Sequence, residues 1–162
     1  MKFQRLVFVF LFFTSLFLSL NVFSQQAYNT GLGLRGGYPS GITAKHFVSR
    51  STAVEGILSF GGWGFGFTGL YQIHVPIADA PGFNWYYGGG AHIGFAKAAS
   101  SNPFLKDKEQ KFFLGVDGVF GAEYVFPDVP ISISLDITPM ISLLPEIFPW
   151  FNAGISVRYI LK

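Results

Sequence analysis

The sequence contains no cysteine, and only 12% of its residues are charged. The absence of cysteine excludes a disulfide framework and a thiolate site for a metal or for nucleophilic chemistry. Charged residues make up about 25% of a typical soluble domain, so this chain has too few of them to cover a solvated surface. Aromatic residues, in contrast, make up 19% of the chain. Such a composition is typical of a protein whose surface faces lipid.

Long apolar runs are also scarce, and the single one lies near the N-terminus, at 6–20. Two basic residues precede this run and small residues follow it, as in a cleavable secretory signal. The pattern predicts a signal peptide over 1–24 and a mature domain over 25–162. An uncleaved anchor helix is the alternative.

Loss of the predicted signal changes the charge balance of the chain. The signal contains Lys2 and Arg5, so its removal takes the formal net charge from +2 to 0. The basic pI of about 8.9 therefore belongs to the precursor. No basic patch remains in the mature domain, which argues against a nucleic-acid partner.

Beyond 1–24, no segment offers the roughly 18 uninterrupted apolar residues that a membrane-spanning helix requires. A membrane protein without such helices has one remaining option, the closed β-barrel, because only helices and barrels satisfy every backbone polar group in lipid. The composition and the missing helices together predict a barrel.

The strand pattern is clearest over 111–126, where apolar and aromatic residues alternate with glycine, valine and two carboxylates. Period two indicates a β-strand, and this one exceeds the 9–11 or so tilted residues that cross a bilayer. Similar alternation recurs along the chain. It predicts eight antiparallel strands, at 30–38, 41–48, 53–60, 63–74, 83–95, 111–126, 131–138 and 150–161, with loops at 96–110 and 139–149. All nine prolines fall at or between the ends of these predicted strands.

The alternation alone does not distinguish a membrane barrel from a soluble, lipocalin-like barrel. The polar faces of the strands carry mostly Gly, Ser, Thr and Asn, which fit the narrow interior of an eight-stranded barrel, whereas the rings fit the wider circumference. Few charged residues lie on the polar faces, and they have opposite signs. We therefore expect an ion-pair network in the lumen, formed by Arg35, Lys45, Glu55, Asp117, Glu123, Asp136 and Arg158.

An even number of strands places both chain termini on the periplasmic side, with longer loops outside. The charged loop 96–110 then lies outside the cell. Aromatic residues near the strand ends are expected to form two belts at the membrane interfaces. The predicted outer belt contains Tyr38, Trp63 and Trp150, and the predicted inner belt contains Tyr71, Trp85, Tyr124, Phe126 and Tyr159.

The signal, the eight alternating segments and the closing strand Phe151–Tyr159 resemble the small outer-membrane β-barrel proteins of Gram-negative bacteria, the OmpA-like and OmpX-like eight-stranded class. The closing strand resembles the assembly signal of such proteins, although its aromatic residue is displaced from the terminus by Ile160-Leu161-Lys162. The resemblance implies an eight-stranded up-and-down transmembrane barrel in the outer membrane. Its implied partners are outer-membrane lipid and, during insertion, the barrel-assembly machinery.

The sequence offers few candidates for chemistry. His46, His74 and His92 lie on three different predicted strands, without the i, i+4 spacing of a helical metal site. By alternation His74 and His92 point into the lumen and His46 points outward. The segment Gly31–Gly36 matches GxGxxG as letters but continues as a strand, whereas dinucleotide binding requires a following helix. We therefore predict no catalytic, metal or cofactor site.

The predicted function is that of an integral outer-membrane barrel with a largely plugged lumen and a structural or surface-interaction role. Loop 96–110 is the segment expected to meet an extracellular partner. Two alternatives remain open, a narrow porin-like channel for ions or small solutes and a lipid-modifying outer-membrane enzyme. The motifs are specific for architecture and say little about activity.

Overall fold

The computed structural model describes residues 28–38, 40–61, 64–96 and 111–161. The predicted signal at 1–24, most of loop 96–110 and the predicted belt residue Trp63 lie outside these ranges. The described chain forms eight strands, which are β1 (Thr30–Tyr38), β2 (Gly41–Phe47), β3 (Thr52–Gly61), β4 (Gly64–Pro76), β5 (Phe83–Ala96), β6 (Lys111–Val125), β7 (Ile131–Leu144) and β8 (Phe148–Leu161). Within the described ranges, no helix has the length and hydropathy of a membrane span.

The strands form a closed barrel in which each pairs antiparallel with the next and β8 pairs with β1. The predicted all-β fold with eight antiparallel strands is therefore confirmed. When paired residues are followed from Gly31 on β1 through each strand in turn, the row arrives at Trp150 on β8. Where β8 pairs directly with β1, however, the partner of Gly31 is Ile160. One circuit thus displaces the row by ten residues, from 160 to 150, a stagger that goes with strands tilted by about 35–45°.

The two faces of each strand differ as the alternation predicts. On β7, Ser132 and Ser134 are fully buried, whereas Ile133 between them and Leu135 beside them are 36% and 63% exposed. Around the barrel, most charged and hydroxyl side chains lie inside and most large aliphatic and aromatic side chains lie outside, although a small apolar cluster is also buried, formed by Ile57, Leu70, Tyr86 and Val119. The side chains that fill the centre of this barrel are therefore mainly polar.

The β7–β8 hairpin corrects one prediction. The sequence predicts a loop over 139–149, but β7 continues through Pro139 to Leu144, and β8 already begins at Phe148. Proline is accommodated because the β6–β7 ladder has no paired residues between Asp117–Met140 and Phe120–Ile137, where Pro139 lies. Proline has no backbone N–H to donate, and no β6–β7 hydrogen bond is needed where the ladder is interrupted. The prediction that every proline lies at or between strand ends is therefore wrong at Pro139.

Inward-facing glycines leave room for the large polar side chains of the lumen. A Cβ at Gly121 would lie 2.7 Å from both Tyr86 Cζ and Asp136 Cβ, and a Cβ at Gly154 would lie 2.8 Å from Arg35 Nε. Real Cβ atoms do not approach so closely. The absence of a side chain at Gly121 and Gly154 therefore makes room for Tyr86 and Arg35 inside the barrel.

Candidate functional site

The charged residues of the lumen form layers along the barrel axis, and the layer nearest the chain termini is the largest. Arg158 forms ion pairs with Glu55 and, at 3.5 Å, with Glu123 Oε1. Lys45 Nζ lies 3.7 Å from Glu55 Oε2 and 3.6 Å from Glu123 Oε2. All four side chains are at most 1% exposed. Two cations and two carboxylates therefore balance each other in this inner cluster.

Hydroxyl and amide groups satisfy further bonds of the inner cluster. Gln72 Nε2 donates to Glu55 Oε2 at 2.6 Å, and Arg158 Nη1 donates to Ser134 Oγ at 2.8 Å. Three buried atoms of the inner cluster, Lys45 Nζ, His74 Nδ1 and Glu123 Oε2, have no hydrogen-bond partner within the described part of the chain. Their distances to neighbouring charged groups are longer, at 3.6–3.7 Å. His74 Nδ1 lies 3.6 Å from Glu123 Oε2. These distances fit charge pairing and exceed those of direct hydrogen bonds.

Tyr28 closes the inner end of the lumen. It precedes β1, is buried, and donates from its hydroxyl to Glu123 Oε1 at 2.8 Å. Its ring packs edge-on against Phe47, with 4.9 Å between the ring centroids. Burial and the nearby charge of Glu123 raise the pKa of Tyr28 above its ordinary value, so its hydroxyl keeps the proton that it donates.

The middle layer is a bidentate pair across the lumen. Arg35 donates from Nη1 to Asp136 Oδ2 at 2.9 Å and from Nη2 to Asp136 Oδ1 at 2.6 Å. The Tyr86 hydroxyl donates to Asp136 Oδ2 at 2.9 Å. Lys45 Nζ lies over the Tyr86 ring, 4.3 Å from its centroid, in a cation–π contact. Tyr86 therefore links the middle layer to the inner cluster.

The outer layer is smaller and opens onto a cavity. His92 Nδ1 lies 2.9 Å and 3.0 Å from the two carboxylate oxygens of Asp117. A cavity of about 60 Å³ lies between this pair and the Arg35 layer, and Met140 and Asn152 are among its lining residues. The buried polar atoms Arg35 Nε, His92 Nε2 and Asn152 Oδ1 have no hydrogen-bond partner in the described chain. The outer half of the lumen is therefore less completely filled than the inner half.

All seven charged residues that the sequence assigns to the lumen are buried within the barrel. The structure joins Lys45, Glu55, Glu123 and Arg158 in one cluster, pairs Arg35 with Asp136, and places Asp117 with His92. His74 and His92 point inward, while His46 is exposed, with its Nδ1 2.8 Å from Thr30 Oγ1.

Several members of these layers are missing from the sequence-based network. Alternation places Gln72 and Tyr86 on the polar faces of their strands, and their length could have marked them as lumen-filling residues. Tyr28 precedes the first strand, and Met140 falls in a predicted loop, so no periodic signal points to either. Only the packing of the closed barrel brings them to the charged residues.

The residues assigned to the two predicted aromatic belts have different surroundings in the barrel. Tyr124 packs against Phe83 and Phe126 at the barrel end that holds the chain termini, and Tyr71 and Tyr159 are exposed. Trp85 packs against Phe120. At the opposite end, Tyr38 borders the outer cavity, and Trp150 shares the side of β8 that faces inward at Asn152. Trp150 is half-buried near the start of β8, and its membership of the outer belt stays a prediction.

Among the described residues, no three His, Cys, Asp or Glu side chains come close enough together to hold a metal ion. Comparisons with protein-family models, with curated proteins and with solved structures find no match for this chain. The arrangement of charge and apolar surface in the barrel is thus the observation from which its function is inferred.

Proposed function

We propose that the chain is an integral outer-membrane β-barrel with a closed lumen, and that its role is structural or in surface interaction without catalysis. One observation carries this proposal, the reversed distribution of polar and apolar side chains. Arg158 and Lys45 are completely buried, whereas Leu34 is 69% and Phe151 75% exposed. Soluble proteins bury their large apolar residues and rarely expose such continuous apolar surface.

The resemblance to OmpA-like and OmpX-like barrels supports the same location. It rests on the predicted signal over 1–24, on the eight alternating segments and on the closing strand, which β8 contains from Phe151 to Tyr159. In this proposal the chain is exported in a Gram-negative cell, is inserted by the barrel-assembly machinery, and contacts outer-membrane lipid with its outward rings. Loop 96–110 would join β5 to β6 on the outside and meet an extracellular partner.

The packing of the lumen favours a closed barrel over a narrow channel. The side chains of the inner cluster and of the Arg35–Asp136 pair extend into the lumen of the barrel and are almost fully buried there. An interior of eight strands is just wide enough for such side chains to fill.

We therefore expect the purified protein to produce no regular conductance steps in planar lipid bilayers. The buried side chains of the inner cluster should block ions and water, so the membrane current should stay at the baseline of a protein-free bilayer. A detergent-matched blank is the control for leakage. Reproducible single-channel steps of one size would favour the porin-like alternative.

Location and topology can be tested together by cysteine labelling, since the chain has no cysteine of its own. A single cysteine in Ser101→Cys should react with a membrane-impermeant maleimide in intact cells, because 96–110 is proposed to lie outside. Asp79→Cys, in the turn between β4 and β5, is the matched control and should react only after the outer membrane is permeabilised. Equal labelling of both variants in intact cells, or of neither after permeabilisation, would contradict the proposed topology.

A further inference from the structure

An open groove of about 510 Å³ runs along the outside of the barrel, across strands β2 to β5. Its floor is formed by Ala44, Gly56 and Gly69, which are direct neighbours in the strand ladders. Phe67 and Tyr71 line the groove as well, and they flank Gly69 on the outward face of β4 because side chains two positions apart share a face. Both rings are exposed. Small residues thus leave a slot between large apolar side chains on the outer wall.

The fold does not require glycine at the floor of this groove. A Cβ at Gly69 would have Phe67 Cε1 as its nearest neighbour, at 3.8 Å, and a Cβ at Gly56 would lie 3.4 Å from Phe67 Cε2. These are ordinary contact distances, so there is room for a side chain at both positions. The inward-facing glycines of β5 differ, because a Cβ at Gly88 or Gly90 would collide with a backbone carbonyl oxygen of β4. Glycine weakens a strand interior, and where the fold does not require it, it marks close approach of a ligand or another chain.

Two polar side chains lie at one end of the groove. Thr30 and His46 both line it, and Thr30 Oγ1 lies 2.8 Å from His46 Nδ1. His46 is exposed and is the penultimate residue of β2, at the barrel end that holds the chain termini. From His46, the ladder pairs lead through Val54 and Tyr71 to Gly89, in the middle of β5. The groove therefore begins at this rim with a polar end and rises along the outer wall with an apolar lining.

The length of the groove matches the depth of one lipid leaflet. Three interstrand spacings separate β2 from β5 in the barrel, which amounts to about 14 Å at about 4.8 Å each. One leaflet supplies half of a hydrocarbon core of about 30 Å, or about 15 Å. Two convex barrel walls meet along a line, whereas a single hydrocarbon chain can follow a diagonal groove to its floor. The shape and the polar end therefore favour an amphipathic molecule with one extended chain over a second copy of the barrel.

We propose that this groove holds one acyl chain of a phospholipid from the inner leaflet, with the headgroup phosphate at His46 and Thr30. The chain lies over Gly56 and Gly69, where its close approach to the backbone increases van der Waals contact. Whichever of Thr30 and His46 donates in their mutual hydrogen bond, the pair keeps one N–H or O–H donor for the phosphate. The inference rests on the proposed function, since it places this wall of the barrel in a membrane.

Native mass spectrometry tests the groove directly. The protein is folded into vesicles of phosphatidylethanolamine and phosphatidylglycerol, extracted in mild detergent, and weighed with its bound lipid. We expect the wild type to retain one phospholipid. Gly69→Leu fills the floor of the groove with a side chain and should lower the retained fraction about ten-fold. His46→Leu removes a hydrogen-bonding group from the polar end and should lower the fraction by a similar factor, about ten-fold.

Ala122→Leu is the matched control, because it enlarges an exposed small residue on β6, outside the groove, and should leave lipid retention unchanged. Gly56→Leu carries the test if Gly69→Leu does not fold. Equal retention in the wild type and in both glycine variants, with all three inserted in vesicles, would overturn this inference and leave the proposed function standing. Dimers of the wild type that Gly69→Leu abolishes would also overturn it, by assigning the groove to a second copy. Failure of the wild type to insert into vesicles would overturn both.

Discussion

Arg158→Leu is expected to lower the free energy of unfolding by about 3–5 kcal/mol, the cost of removing one partner from a buried ion pair. Arg158 is completely buried and contacts Glu55, Glu123 and Ser134. Without it, two buried carboxylates share Lys45 as their one cation in the inner cluster. The temperature at which the folded band disappears in heat-modified gel mobility should fall accordingly.

Arg50→Leu is the control for this experiment, because Arg50 is an exposed arginine in the turn between β2 and β3. Exposed charges contribute little to stability, so its transition temperature should stay near that of the wild type. If Arg158→Leu and Arg50→Leu unfold at the same temperature, the inner cluster does not stabilise the barrel.

Ile137→Arg is expected to destabilise the protein in lipid by about 2–4 kcal/mol, because it places a cation on the apolar outside near the middle of a strand that is proposed to span the membrane. Ile137 is 52% exposed and lies centrally in β7. On the surface of a soluble protein the same change would bring a charged group into water at little cost. Urea-dependent unfolding in lipid vesicles, followed by tryptophan fluorescence, measures the difference.

Ile147→Arg makes the same substitution at the barrel rim, where Ile147 is 77% exposed between β7 and β8. Near the membrane interface, arginine costs about 0–1 kcal/mol. The membrane proposal therefore requires a difference in stability between the variants of two exposed isoleucines. Equal stability of the two variants would indicate that the outer surface of β7 does not contact hydrocarbon.

The strands could be predicted from the sequence because period-two alternation is local. β7 illustrates both the reach and the limit of this signal. Its first half alternates between isoleucine or leucine and small polar residues, and its predicted faces match the observed burial from Ser132 to Thr138. Its second half is predicted to be a loop, because a proline such as Pro139 ordinarily lies at the end of a strand. Whether a proline is tolerated depends on the neighbouring ladder, which the sequence of one strand does not reveal.

The composition of the interior could be predicted, but its pairing could not. Alternation places Arg35 and Asp136 on the polar faces of β1 and β7, yet these strands are not neighbours in the barrel. Which cation meets which carboxylate depends on stagger and side-chain length across the lumen. The cavity beside His92 was missed for the same reason, since it exists only where strands from opposite walls leave space between them.

The links across the lumen also bear on the order of assembly. Arg158 on the last strand reaches Glu55 on β3, and Tyr28 ahead of the first strand reaches Glu123 on β6. An open sheet of the first seven strands would hold its carboxylates without the guanidinium that neutralises them. Pairing of β1 with β8 thus brings Arg158 to the buried carboxylates and also completes the hydrogen bonds of the barrel. This favours a concerted final step over the accumulation of partly formed, open sheets.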